Sequence, residues 1–235
     1  MPSSSESAVV VTCHDGDMDL PADSHVHSEW SWDTGGPGSE ADGTMLRTCE
    51  RAVAIGLPAV VFTEHLDFEG WRIEPQDATD AIQHLISPKG VFEVPSLDVA
   101  GYLDCVDRCR SLFPTLRILT GVEFGQPHLF EQQASQLLDL SKLDRVNGSL
   151  HTLQNGADRS EPVTLFRCWP ADRVMWEYLA EVPRMVAASN SFEVFTHTRS
   201  GPGPLQRRDR STPGGLKKVS GRRCAPWRTA DAPWR

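Results

Sequence analysis

The chain of 235 residues is long enough to bury one sizeable core, or to build a barrel, without disulfides. Its formal charge of −9 is spread unevenly: residues 199–235 hold 10 basic and 2 acidic side chains (+8), leaving −17 for residues 1–198. No stretch approaches the roughly 18 consecutive apolar residues of a membrane span, and residues 1–20 lack the basic segment and apolar run of a secretory signal, so the expected setting is cytoplasmic, with no membrane partner. Six scattered cysteines without a C-x-x-C pair read as reduced, small apolar residues.

In chain order, residues 1–19 are rich in Ser and Asp with little to bury and are expected to form a disordered extension. His25 and His27 follow, two apart. On a strand that spacing places both imidazoles on one face, where two neutral nitrogens can converge on one cation. Asp33 lies six residues on, far enough for the chain to turn and aim a carboxylate at the same pocket. A Gly/Pro loop at 34–38 precedes a helix over 44–55, whose apolar residues have helical spacing and which Gly56 ends. Leu57–Phe62 reads as a strand buried on both faces, leading into Thr63-Glu64-His65-Leu66-Asp67. His65 is either paired with Glu64 or Asp67 or is a ligand at the strand's carboxyl end, where functional groups collect in α/β folds.

Residues 69–96, broken by prolines, are expected to be an irregular insertion over the site, with His84 on its surface. A helix is predicted over 97–112 and a strand at 116–120, which runs into Gly121-Val122-Glu123-Phe124-Gly125. A carboxylate at an apolar strand end needs a positive partner, whether a basic side chain or a metal. A helix is expected over 132–140, and residues 145–152 then repeat the strand pattern with His151 at the end. His128 has no comparable context. A helix over 171–188 contains Pro183, which predicts a kink. The fifth strand-like segment, 192–197, ends in His197. Strands and helices thus recur, and five strand ends carry His, His, Glu, His and His. Together these point to a metal site more strongly than any one of them does.

Asp23-Ser-His-Val-His-Ser, Thr63-Glu-His-Leu-Asp, Gly121-Val-Glu and Gly148-Ser-Leu-His resemble the successive motifs of the PHP (polymerase and histidinol phosphatase) superfamily, most closely its histidinol-phosphatase branch. The resemblance covers roughly residues 20–198. It implies a distorted seven-stranded, TIM-like β/α barrel and up to three divalent metals, Zn, Mn or Fe. It also implies phosphoester hydrolysis, with a small phosphorylated substrate such as L-histidinol phosphate of histidine biosynthesis. Carried over by motif, His25, His27 and Glu123 would hold a first metal, with Glu123 bridging. Asp33, where many members have histidine, and His65 would serve a second; Glu123, His151 and His197 a third. Metal-activated water would be the nucleophile.

The chain departs from the family where members supply a final Asp-x-His, because no histidine follows His197. Residues 199–235 are Gly-, Pro- and Arg-rich without apolar periodicity and are expected to be a disordered basic tail beside a barrel incomplete at its C-terminal end. Three readings follow: a phosphatase whose activity is lowered by the missing ligands, a catalytically impaired metal-binding remnant, and a PHP-type enzyme acting on nucleotides or nucleic acid. The acidity of the motif-bearing region argues against a nucleic-acid partner. Arg145 and Arg159 lie near the fourth motif, but neither is assigned to the phosphate, and the sequence leaves the oligomeric state open.

Overall fold

The computed structural model describes residues 20–37, 43–74, 76 and 78–196. The extension expected at 1–19 and the tail expected at 199–235 lie outside the described residues, as does His197. Five parallel strands form the main sheet: β1 (Asp23–Val26), β2 (Ala59–Leu66), β5 (Arg117–Gly125), β6 (Arg145–Ser149) and β9 (Val194–Phe195), in the order β1-β2-β5-β6-β9. The helices are α1 (Met45–Ile55), α2 (Val99–Leu112), α3 (Pro127–Leu137), α4 (Pro162–Cys168) and α5 (Ala171–Ala188). The sheet curls into half a barrel, the incomplete β/α barrel that the sequence predicts.

Along the three central strands the faces divide by the two-residue period of a strand. Phe62, Leu66, Val122, Phe124 and Val146 are buried in apolar clusters with α1, α2, α3 and their flanking loops. Thr63, His65, Glu123, Asn147 and Ser149 alternate with them and face the concave side. A one-residue slip of any central strand would exchange these two sets.

Local signals set the helix ends. The Thr44 hydroxyl accepts from Arg47 N at 3.4 Å, and Gly56, at φ 77°, donates to the Ala52 and Val53 carbonyls to stop α1. The Asp98 carboxylate caps α2 through Gly101 N. Two expectations shift: α3 starts at Pro127 and ends at Leu137, earlier than predicted because proline suits a first helical turn, and α5 continues through Pro183 without interruption.

The supposed irregular insertion also has a fold of its own. Short strands β3 (Trp71–Arg72) and β4 (Val91–Phe92) join the hairpin β7 (Leu153–Asn155) and β8 (Asp158–Ser160) in a second sheet, ordered β4-β3-β8-β7. Strands of two or three residues are too short for a periodicity argument, and the pairing of Arg72 with Ser160, 88 positions on, leaves no local trace. Trp71, Ile73, Ile82 and Phe92 form the core beneath this sheet. Among the described residues, no helix is long and apolar enough to cross a membrane.

Tyr102 ties α2 to the middle of the main sheet. Its buried hydroxyl accepts from Gly121 N at 2.9 Å and lies 3.0 and 3.1 Å from the Phe62 and Gly121 carbonyls. Replacing Tyr102 with Phe strands the Gly121 amide in the core, so a loss of about 1–3 kcal/mol is expected. Urea unfolding of the Y102F chain measures it.

Candidate metal centre

The concave face gathers six of the seven residues singled out as ligands, namely His25, His27, Asp33, His65, Glu123 and His151. Strand register accounts for much of this convergence. His65 on β2 stands directly beside Glu123 on β5, which in turn stands beside Asn147 on β6. Both β2 and β5 run past the ends predicted for them, so His65 and Glu123 lie within strands, not beyond them. His25 and His27 arrive on and just after β1, and His151 follows β6.

Glu123 is fully buried and forms the hub. One oxygen, Oε2, lies 3.0 Å from His27 Nε2, 3.4 Å from His25 Nε2 and 3.7 Å from His65 Nδ1. The other, Oε1, lies 3.1 Å from His151 Nε2 and accepts from the hydroxyls of Ser149 and Thr196. Each carboxylate oxygen therefore serves a different group of imidazoles, the disposition a bridging ligand needs. Three overlapping donor sets result: His25, His27 and Glu123; His27, Asp33 and His65; and His65, Glu123 and His151. Among the described residues these are the groups able to hold a metal ion.

Several features fit a cation. His27 Nε2 and His65 Nδ1 are buried and make no hydrogen bond, despite carboxylate oxygens within 3.0–3.7 Å. Four imidazoles pack with ring centroids 4.3–5.0 Å apart (His25–His27, His27–His65, His65–His151), an arrangement that is costly if all are protonated. Asn147 Nδ2 lies 2.7 Å from His25 Nδ1, while the buried Asn147 Oδ1 has no hydrogen-bond partner.

Asp33 reaches the site through a 3-10 turn (Trp32–Thr34) that the Thr34 hydroxyl fastens by donating to the Ser28 and Ser31 carbonyls. Its Oδ2 lies 3.1 Å from His27 Nδ1 and 3.7 Å from His65 Nε2. Beneath this loop, the fully buried Glu64 carboxylate accepts from Ser28 N, Ser28 Oγ and Ser31 Oγ at 3.0, 2.6 and 2.6 Å. Burial pushes the Glu64 carboxyl up, and the hydrogen bonds from Ser28 and Ser31 oppose the shift. Sequence reasoning treated Glu64 only as a potential partner of His65; on the strand it faces the other way and anchors the loop carrying Asp33.

The sequence marks Asp67 only as a partner of His65, but the structure gives it a wider role. Its Oδ1 lies 2.7 Å from His151 Nδ1, and its Oδ2 lies 3.3 Å from His65 Nδ1 and accepts from Trp32 Nε1 at 3.0 Å. Holding the proton on His151 Nδ1 leaves Nε2, 3.1 Å from Glu123 Oε1, as the ring atom available to a metal. Only glycine fits at 125, because a Cβ there would stand 1.8 Å from Asp67 Oδ1. Trp32 covers the face of His65 with its ring stacked at 4.3 Å. At Gln126 the backbone takes a left-handed φ of 48°, uncommon outside glycine. With its amide oxygen facing the 151–152 backbone, Gln126 accepts from His151 N at 2.8 Å and from Thr152 N at 2.6 Å, fixing the segment that carries His151.

Of the remaining sequence candidates, Arg159 is buried and donates to the Thr152 hydroxyl and carbonyl at 2.8 and 2.9 Å. His128 is paired with Glu181 at 2.9 Å, so its context is a contact between α3 and α5. His84 is exposed, as expected, and borders a cavity of about 250 Å³ with Trp30, Trp32, His65, Leu97 and Asp98.

A PHP domain model matches residues 23–200, more than half of the chain. The chain belongs to the PHP domain family. A solved structure from Lactococcus lactis, histidinol phosphate phosphatase complexed with zinc, L-histidinol and phosphate, superposes with a TM-score of 0.54 at 21% identity, covering 75% of this chain and 57% of that one. This PHP chain therefore spans little more than half the length of that protein, and the likeness bears on the fold. A protein from Listeria monocytogenes ascribed histidinol phosphatase activity gives a TM-score of 0.38 at 14% identity over 60% of this chain and 48% of its own. No curated protein matches the chain significantly.

Burial opposes the charged form of His27, yet the bond to Asp33 and the nearby Glu123 carboxylate raise its pKa to about 10. Burial likewise opposes ionisation of Asp33 and Asp67, but their histidine partners hold both well below the usual carboxylate range. Without metal, the His27 contribution to stability is complete below 6.5 and is lost as pH rises through about 10. The two aspartates contribute fully above 3.8 and lose their contribution as pH falls below it. The urea midpoint of chelator-treated protein is therefore expected to be highest between those two values and to fall on either side. Asp67→Asn should weaken divalent-metal binding by about 10- to 100-fold through loss of imidazole orientation, measurable by calorimetric titration.

Proposed function

We propose that this PHP chain is a metal-dependent phosphomonoesterase acting on L-histidinol phosphate to give histidinol and phosphate, as in histidine biosynthesis. The observation that carries the reading is the buried Glu123 carboxylate shared between two groups of imidazoles, with Asp33 at the rim. Membership of the PHP family supports phosphoester chemistry. The naming of the Lactococcus lactis relative supports this substrate.

In this reading His25, His27 and Glu123 hold one divalent ion, Zn, Mn or Fe. Asp33, His27 and His65 offer donors for a second, and Glu123, His65 and His151 for a third; His197 is proposed as a further ligand by motif. Bound ions would lower the pKa of water and neutralise charge on the phosphoryl oxygens. The side chains prepare the site for this. Asp67 holds the proton at His151 Nδ1, Glu64 and its serines fix the loop bearing Asp33, and the Trp32 indole shields one face of His65 from water. The cavity bordered by Trp30, Trp32 and His65 offers room beside the donors for the alcohol portion of a small phosphomonoester. The acidic surroundings of the site disfavour a polyanionic nucleic acid as substrate.

The experiment is phosphate release from L-histidinol phosphate, measured with metal content per chain. Two or three ions with turnover are expected for the native chain. Glu123→Gln keeps the volume but removes the shared charge; it should lose at least one ion and about 100-fold or more of the turnover. One ion with no turnover in the native chain would instead favour a metal-binding protein without catalysis.

A further inference from the structure

The buried side of α5 is ordinary, with Val174, Tyr178 and Met185 packed into the core. Its outer side is not. Trp176, Leu179 and Val186 are 76%, 56% and 54% exposed, and Ala180, Pro183 and Ala187 between them are exposed as well. These six positions recur at three- and four-residue intervals, so they form one apolar stripe more than two turns long on the solvent side of a helix. Exposed apolar residues scattered singly are normal, whereas a continuous stripe headed by a tryptophan marks a contact surface.

The charges beside the stripe indicate what it contacts. Glu177 and Arg184 lie seven residues apart on the same flank, and both are exposed. Arg184 has a local bond to Glu181 at 2.8 Å but remains 70% exposed. When two identical helices pack antiparallel about a two-fold axis, each flank faces its own copy. An axis passing near Ala180 sets Glu177 of one copy against Arg184 of the other, and by symmetry Arg184 against Glu177. The same axis sets Trp176 between Pro183 and Val186 of the second copy and places small Ala180 at the crossing, where the backbones approach most closely. Opposite charges arranged symmetrically about an apolar centre form a self-complementary surface.

We infer that the outer face of α5 is a homodimer interface, occupied by α5 of a second copy in antiparallel orientation. One helix pair covers less than the roughly 800 Å² per partner of a standard stable interface, so association depends on concentration. The inference is independent of the chemistry at the metal centre.

Sedimentation velocity of the full chain over a wide concentration range tests it. The native chain is expected to shift from monomer to dimer, and Leu179→Glu to remain monomeric. Glu177→Arg or Arg184→Glu alone places like charges in contact twice per dimer and should weaken the dimer roughly tenfold. The double exchange E177R/R184E should restore association to within about threefold of native. Thermal unfolding of each variant verifies that it is folded, since every altered side chain faces solvent. A native chain that is monomeric at all concentrations, or a double exchange that is no stronger than the single ones, overturns the proposal.

Discussion

A carboxylate with no solvent access, surrounded by imidazoles, governs the organisation of this chain. Glu123 cannot remain ionised in the core without positive charge or hydrogen-bond donors around it, and burying it uncompensated would cost several kcal/mol. The fold supplies four imidazoles, two hydroxyls and the neighbouring polar residues of β2 and β6. In the absence of a metal, protons on histidine fill the need, which is why His27 and His151 both hold protons more tightly than usual despite burial. A divalent cation meets the same demand with fewer charged rings in contact. The site therefore favours cations for electrostatic reasons before any question of chemistry arises.

Around that hub, a layer of groups with no place in the donor sets fixes the geometry. Asp67 joins His65, His151 and Trp32, and glycine at 125 makes room for it. Glu64 fastens the loop through Ser28 and Ser31, and Ser31 Oγ also accepts from His65 N at 3.0 Å. Apart from the local pair His65–Asp67, these contacts join residues some 30 to 85 positions apart. Rigidity of this kind keeps donor atoms aimed at a common point even though most of them come from strand ends and loops.

What could be read from the sequence follows from distance along the chain. The paired histidines, the apolar runs of β2 and β5 and the capped α1 each have a short-range signature, so these elements and the donor residues on them were visible. Strand length was not: Glu64 and His65 sit in a polar segment that looks like a loop, yet pairing with β5 extends β2 to Leu66. The second sheet was missed because pairing alone defines strands of two or three residues. Asp67 and Glu64 gave only the local signal of an acid beside a histidine. That signal cannot distinguish a direct partner of His65 from an anchor for a loop more than 30 residues away.

A half-barrel can carry this centre because the assembled donors come from neighbouring strands, their ends and the loop that follows β1. β1, β2, β5 and β6 are consecutive in the sheet, parallel and hydrogen-bonded, so register alone places His65 beside Glu123 and brings His25, His27 and His151 around them. Closing the barrel would add donors from the far side and shelter the cavity, but it is not needed to bring these six residues together. The shared carboxylate is central to that arc, on the middle strand of the sheet. The consequence is physical: the donor sets holding Glu123 and those holding Asp33 depend on the same β1-β2-β5-β6 register, and they form or fail together with it.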